Sequence, residues 1–511
     1  MSSQRIMKCG LIVLLSFVFT YALSSSSIFP SMFFGWYSAG VTSVAAFLLS
    51  FVFMLAMITL ASCHRVISFI IIPVFLLLSC VCVAARVMYG TYAGELSIAM
   101  YNACWDEVVS YTDLRTVLLA ALAFVVSFGV AWWMPKLAFY KTAKQKAIVV
   151  CLSLFALIAT ATAPYIFLYY KDCYHAHEHE STVTTFGNMR PFAEAQNFVI
   201  CLFQYLNPPV LKDVATYESE VVVKTLPDVV VLYIREAYRA DHSILNGYHR
   251  NTMPILSKME NIINLPFVHS KSTHTVGSIY SILSLSSPET GKTTHNSFLN
   301  ILKKHNYANH LLVGANTGGK WYLSAQIAPL LNNQINLHSR PASPLEYEEA
   351  VSSIVNNKGS SPIFLLIEDG AGHRPYIAEN DVFGSSKQVD KYDNCLIDVD
   401  ARLGAIIRAL KGKSAIMLFS SDHGESFGEG GRYGHAGPLS AKEQTHVCSL
   451  IWYSSKYATE HPGIVNNLKN NATLFSSHDY IYHTIISMAG LASQVQIQSQ
   501  DMTKVQQVGS N

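Results

Sequence analysis

Five long apolar stretches crowd into the first third of the chain, at residues 9–23, 40–61, 66–85, 117–134 and 147–168. A helix of about 20 apolar residues crosses a hydrocarbon layer about 30 Å thick. It also satisfies its own backbone hydrogen bonds there, which an open strand cannot do. The pattern therefore predicts an α-helical, five-span membrane domain over residues 1–170. The first stretch is short enough to be a cleaved signal segment, but four further spans follow at once, which favours an uncleaved helix. Composition agrees: half of the 511 residues are hydrophobic and only 14% are charged, against about a quarter in soluble domains.

Charge placement sets the orientation. Arg5 and Lys8 precede the first stretch, His64 and Arg65 join the second to the third, and Lys136, Lys141, Lys144 and Lys146 join the fourth to the fifth. The opposite connections carry only Arg86 and Arg115. The positive-inside rule puts the N-terminus in the cytoplasm, and an odd number of spans puts everything after residue 168 outside, which in a Gram-negative cell is the periplasm. The net charge is +2 and the cations form no stripe, so no nucleic-acid partner is expected.

Residues 171–215 read as a linker. It opens with His175, His177 and His179, a tract that either binds metal or is merely solvated. An amphipathic stretch at 190–206 follows, suited to a helix on the membrane surface or one packed on a soluble domain. Residues 216–511 read as the periplasmic catalytic domain, and from Pro227 the pattern changes. Short apolar runs at 228–234, 310–314, 363–367, 415–420 and 448–452 alternate with helix-like segments. Such runs indicate a mainly parallel α/β sheet flanked by helices on both faces. Of the ten cysteines, only Cys395 and Cys448 lie in this half, and no Cys-x-x-Cys spacing occurs. Those two could pair in an oxidising compartment.

In such sheets functional groups gather past the C-terminal strand ends. The run at 228–234 leads into Arg235-Glu236-Ala237-Tyr238-Arg239-Ala240-Asp241-His242, that at 363–367 into Glu368-Asp369-Gly370-Ala371-Gly372-His373, and that at 415–420 into Ser421-Asp422-His423-Gly424-Glu425-Ser426. Two carboxylates and an imidazole converging there would make an oxygen-and-nitrogen site for Zn²⁺ or Mn²⁺.

Residues 229–256 (VVVLYIREAYRADHSILNGYHRNTMPIL) and 420–435 (SSDHGESFGEGGRYGH), with Tyr392-Asp393-Asn394, Asp398 and Asp400 between them, resemble the lipopolysaccharide phosphoethanolamine transferases, a family that includes the colistin-resistance enzymes. The resemblance covers essentially the whole chain. It implies an alkaline-phosphatase/sulfatase-like fold, Zn²⁺ dependence with Mn²⁺ second, and zinc ligands at Glu236, Thr275, Asp422 and His423. The nucleophile it implies is Thr275, in Ser272-Thr273-His274-Thr275, with Thr273 as rival. That cluster could equally cap the following helix, and a helix N-terminus also suits phosphate.

Further implied residues are His373 and His435 on the substrate phosphate and Asn316 and Lys320 on the phosphoethanolamine. Glu95, Asn102 and Glu107 fall in a loop that aids substrate binding in the family. The implied reaction takes phosphoethanolamine from phosphatidylethanolamine to lipopolysaccharide (lipid A, core or O-antigen) through a phospho-threonine, releasing diacylglycerol. A bound dication would lower the threonine pKa. An inner-membrane, monomeric enzyme with a periplasmic catalytic domain is expected. Phosphoglycerol transfer, transfer to periplasmic glucans and an inactive lipid sensor are the rival readings. A sulfatase reading lacks its Cys/Ser-x-Pro-x-Arg signature around Thr275. Two departures stand out: Arg235, a bulky cation beside an implied metal ligand, replaces a glycine common in the family and would reshape the pocket, and the cysteines that flank the threonine region in many relatives are missing.

Overall fold

The computed structural model describes residues 3–23, 37–89, 114–174, 217–285, 297–314, 327–337, 341–357, 359, 361–370, 372–435, 437 and 439–506. The His175–His179 tract, the 190–206 stretch and the loop with Glu95, Asn102 and Glu107 lie outside these residues. The chain divides into two compact units, the first holding the N-terminal helices and the second the α/β sheet.

In the first unit, α1 (Ser3–Leu23), α2 (Tyr37–Cys63), α3 (Arg65–Tyr89), α4 (Leu114–Trp133) and α5 (Ala143–Tyr174) each overlap one apolar stretch. Four of the described helices are long and apolar enough to cross a membrane, and Phe47–Cys63 in α2 is a shorter apolar helix. Large apolar side chains point outward, with Phe155 71%, Val125 67% and Leu119 65% exposed. Water would penalise such a surface and lipid would not. Polar atoms turn inward instead: Ser68 Oγ in α3 donates to the Ala131 carbonyl in α4 at 2.7 Å. At the basic end, Arg5 Nε donates to Phe139 O at 2.8 Å and Lys8 Nζ to Ala138 O at 3.3 Å. The cations thereby cap the connection between α4 and α5.

The second unit is built on a seven-stranded sheet. Its strands are β1 (Val229–Arg235), β2 (Ile262–Asn264), β3 (Ala308–Val313), β4 (Asn333–Asn336), β5 (Ile363–Asp369), β6 (Ala415–Ser421) and β7 (Ser449–Tyr453), in the spatial order β2-β7-β6-β1-β5-β3-β4. The pairs β6-β1, β1-β5, β5-β3 and β3-β4 are parallel. The apolar run at 448–452 forms β7, which is antiparallel to β6 and to β2. Its connection from β6 is long but is spent on short strands such as Ser426–Phe427 and Tyr433–Gly434 and on the short helix Lys442–Thr445, with no crossover helix of the kind that usually carries a parallel return.

Both faces are covered, which is why β1 reads as an unbroken apolar run. Val230, Leu232 and Ile234 face one core with α6 (Thr275–Leu283), α7 (Phe298–Lys304) and, near the C-terminus, the helix Asp479–Met488. Val229, Val231 and Tyr233 face the other with α8 (Pro344–Asn356) and α9 (Gln388–Ala409). Cys395 and Cys448 are both buried in this second core and both free.

Candidate active site

β1 and β6 are neighbours in register, with Arg235 opposite Ser421. The residues that follow them, Glu236 and Asp422, therefore emerge side by side. Main-chain ties lock this arrangement: Asp422 N–H donates to Arg235 O at 3.0 Å and Glu236 N–H to Asp369 O at 3.0 Å. Ala237 then turns sharply, at φ 55°, a conformation that a non-glycine residue adopts only when its surroundings impose it. The turn aims Ala237 N–H at Asp422 Oδ1, 3.0 Å away. His423 N–H donates to the same oxygen at 2.8 Å.

What remains points into one small volume. Asp422 Oδ2 and Glu236 Oε1 are buried and accept no hydrogen bond. His423 Nδ1 faces Gly424 O at 2.8 Å, so that nitrogen carries the proton and Nε2 is the one turned to the site. It lies 3.1 Å from Glu236 Oε1 and 3.4 Å from Asp422 Oδ2. Thr275, the first residue of α6, donates its hydroxyl to Glu236 Oε2 at 3.0 Å and sits 3.2 Å from His423 Nε2. The rival Thr273 is turned elsewhere, its hydroxyl bonded to Gly437 O at 2.6 Å. Two orphaned carboxylate oxygens, an imidazole nitrogen and a hydroxyl form a donor set that fits a divalent cation of the zinc class.

The charges bear this out. Burial pushes both carboxyls up, yet the charge of His423, then that of His373, holds Glu236 well below its usual range. Asp422 is raised by burial and by the Glu236 charge. His423, although buried, is pushed up to about 10 by Asp422 and Glu236. Two adjacent buried carboxylates need a positive charge between them.

His435 stands beside this group. One ring nitrogen each from His435 and His423 and a carboxylate oxygen of Glu236 lie within 4.8 Å of one another. Its ring centroid is 4.4 Å from that of His423 and 5.3 Å from that of His373. The sequence reading missed what holds it: Glu425 Oε2 faces His435 Nδ1 at 3.2 Å, while Tyr376 O–H donates to Glu425 Oε1 at 2.9 Å. Glu425 was visible in the Asp-His-Gly-Glu-Ser segment, but no spacing rule connects it to position 435. His274 was also missed. It caps α6, its Nδ1 accepting Gly277 N–H at 3.2 Å, and burial with the charges of His423 and His435 lowers its pKa to about 4.

The structure thus brings together Glu236, Thr275, Asp422, His423, His435 and His373. Asn316 and Lys320 lie outside the described residues. Arg235 does not narrow the site: it is fully buried and points into the α8–α9 layer beside Tyr238.

Comparison with known proteins agrees. The sulfatase family model matches residues 228–491. The phosphoethanolamine transferase EptA of Escherichia coli O157:H7 is 26% identical over 296 residues, covering 52% of this chain and 53% of that protein. The chain therefore spans about half the length of such curated relatives. The integral membrane lipooligosaccharide phosphoethanolamine transferase A of Neisseria meningitidis has the same fold over 96% of this chain and 98% of its own, with a TM-score of 0.67 at 19% identity. The zinc complex of the periplasmic domain of Escherichia coli EptC matches 58% of this chain and 90% of its own, with a TM-score of 0.50 at 17% identity.

Proposed function

The chain belongs to the sulfatase family, and we propose that within it this protein is a phosphoethanolamine transferase of the inner membrane. It takes the headgroup from phosphatidylethanolamine and delivers it to a hydroxyl or phosphate of lipopolysaccharide in the periplasm. The observation that carries this reading is Thr275 Oγ1, held 3.0 Å from Glu236 Oε2 and 3.2 Å from His423 Nε2 at the N-terminus of α6. A threonine in that setting suits a covalent phosphoryl intermediate. The names of the relatives, which are phosphoethanolamine transferases, supply the headgroup.

Glu236, Thr275, Asp422 and His423 would hold the metal, with zinc the first choice because a related domain binds it. When bound, the ion lowers the pKa of the threonine hydroxyl and offsets charge on the phosphoryl oxygens. The chain's own residues do the rest. Thr275 Oγ1 already donates toward Glu236 Oε2, which gives its proton a place to go as the oxygen attacks phosphorus. The bond from phosphorus to the diacylglycerol oxygen breaks, and that oxygen needs a proton. His373 and His435, with ring centroids 5.3 Å apart, are the groups placed to supply it and to donate to the phosphoryl oxygens. The acceptor oxygen then attacks the same phosphorus and passes its proton to the histidine that protonated diacylglycerol, while the bond from phosphorus to Thr275 Oγ1 breaks and Thr275 recovers its proton from Glu236 Oε2.

The test is an intact mass spectrum of lipopolysaccharide from cells expressing wild type or Thr275→Ala. A gain of one phosphoethanolamine unit with wild type alone supports the reading. Equal gain with both would move the nucleophile elsewhere. No gain with either, in cells whose phosphatidylethanolamine is still consumed, would shift the acceptor to glucans.

A further inference from the structure

The residue in front of Glu236 is the least expected on the sheet. Arg235 is fully buried in the last register position of β1, where it pairs with Asp369 of β5 and Ser421 of β6. No carboxylate lies in ion-pair range of its guanidinium among the described residues. Only Nη1 is hydrogen-bonded, to Glu236 O at 2.8 Å, while Nε and Nη2 have no acceptor. A buried guanidinium without an acid partner is costly, and an apolar side chain of similar length would be cheaper to bury. Stability therefore gives no reason for an arginine here.

Position gives one. One side of the guanidinium meets the ring of Tyr238, whose centroid is 4.9 Å from Cζ. Another meets Gly372, where an added methyl group would overlap Nη2. Gly372 has φ 101°, a backbone that suits glycine, and the next residue is His373. The turn is closed by His373 N–H to Gly370 O at 3.2 Å and by Tyr376 N–H to His373 O at 2.9 Å. Both bonds lie within the turn, and Tyr376 O–H ties its far end to Glu425 Oε1 at 2.9 Å. Arg235 links its near end to the end of β1: the guanidinium packs beneath Gly372, and its Nη1 donates to Glu236 O at 2.8 Å. It has no exposed atom to offer a substrate.

We propose that Arg235 is a positioning residue: it fixes the Gly372 turn, and with it the His373 imidazole, against the main chain of Glu236. This rests on the transferase reading only for what His373 does, since the placement itself can be read without a substrate.

The experiment is hydrogen–deuterium exchange on the full-length protein in detergent, comparing wild type, R235M and R235K. In R235M, peptides covering residues 370–376 should exchange several-fold faster, because the turn loses the guanidinium packed under Gly372 and held to Glu236 O. Peptides from α7 and β3 should not change, and the melting temperature should be equal or higher, because a buried unpaired charge has gone. R235K keeps one donor and should recover part of the protection. Unchanged exchange at 370–376 in R235M overturns the proposal. So does faster exchange throughout the unit with a lower melting temperature, which would make Arg235 ordinary core. If R235M does not accumulate, R235K decides: faster exchange confined to 370–376 supports the proposal, and wild-type or global exchange refutes it. A kinetic cycle with His373→Ala then asks about function. R235M should cost little in a chain already lacking that imidazole, and a complete absence of transfer by wild type would fail the transferase reading while leaving the exchange result standing.

Discussion

Replacing Glu425 by Gln tests how the site orients His435. The carboxylate accepts from both sides, from Tyr376 O–H at 2.9 Å on Oε1 and from His435 Nδ1 at 3.2 Å on Oε2. Glutamine has the same shape but only one acceptor oxygen. Either Tyr376, whose phenol oxygen can accept, or His435 must then face an N–H₂ group; in both cases the negative charge behind the ring is lost, and at 1% exposure for Glu425 no water replaces it. If His435 faces that group, the ring takes the other tautomer, with Nδ1 as acceptor and the proton on Nε2. Partners behind a catalytic or metal-ligating histidine are typically worth about 10–100-fold, or about 1.4–2.7 kcal/mol in the barrier. Glu425→Gln should lower kcat/KM for phosphatidylethanolamine headgroup transfer by that amount. Tyr376→Phe should cost less, because it leaves the carboxylate to serve His435 alone. The measurement is steady-state kinetics on detergent-purified enzyme, with melting curves to exclude unfolding. A Glu425→Gln enzyme within threefold of wild type, or a larger loss in Tyr376→Phe, would refute the reasoning.

Two other expectations concern stability. Asp369 and Arg402 are each 1% exposed and lie 3.0 Å apart. Asp369→Asn strands the guanidinium and should cost about 3–5 kcal/mol in unfolding experiments, whereas the double change Asp369→Leu/Arg402→Met should cost less than the single one. Asp400 is pushed up to about 6 by burial, against the hydrogen bonds it accepts from Leu256 and Ile255 N–H. Its contribution is therefore fully present below the usual carboxylate pKa near 4 and lost as the pH rises through about 6. Relative to wild type, Asp400→Asn should gain up to about 3 kcal/mol between pH 4 and pH 7.5, read as diverging melting temperatures; parallel curves would count against the burial argument.

The residues that were legible in the sequence are those whose role follows from chain-local pattern. Span length betrayed the membrane helices, and unbroken apolar runs betrayed strands covered on both faces. Glu236, Asp422 and His423 follow such runs directly, so a parallel register alone places them together. Thr275 could be separated from Thr273 only in three dimensions, since both occupy the same capping cluster and differ in which way the hydroxyl turns, toward Glu236 or toward Gly437. The antiparallel course of β7 was hidden for a similar reason: apolar content announces a strand but not its direction.

Glu425 and Tyr376 were hidden more deeply. Their function is relational, a carboxylate shared between a phenol on one connection and an imidazole on another, and no spacing in the chain encodes it. Arg235 shows the converse. Its oddity was plain in the sequence, but a cation next to a predicted metal ligand read naturally as a group in the pocket. Strand alternation decides otherwise, because a side chain at 235 must leave the sheet on the face shared with Tyr233, opposite to Ile234. The same period-two geometry that made β1 recognisable also keeps that charge out of the cleft and under the turn that carries His373.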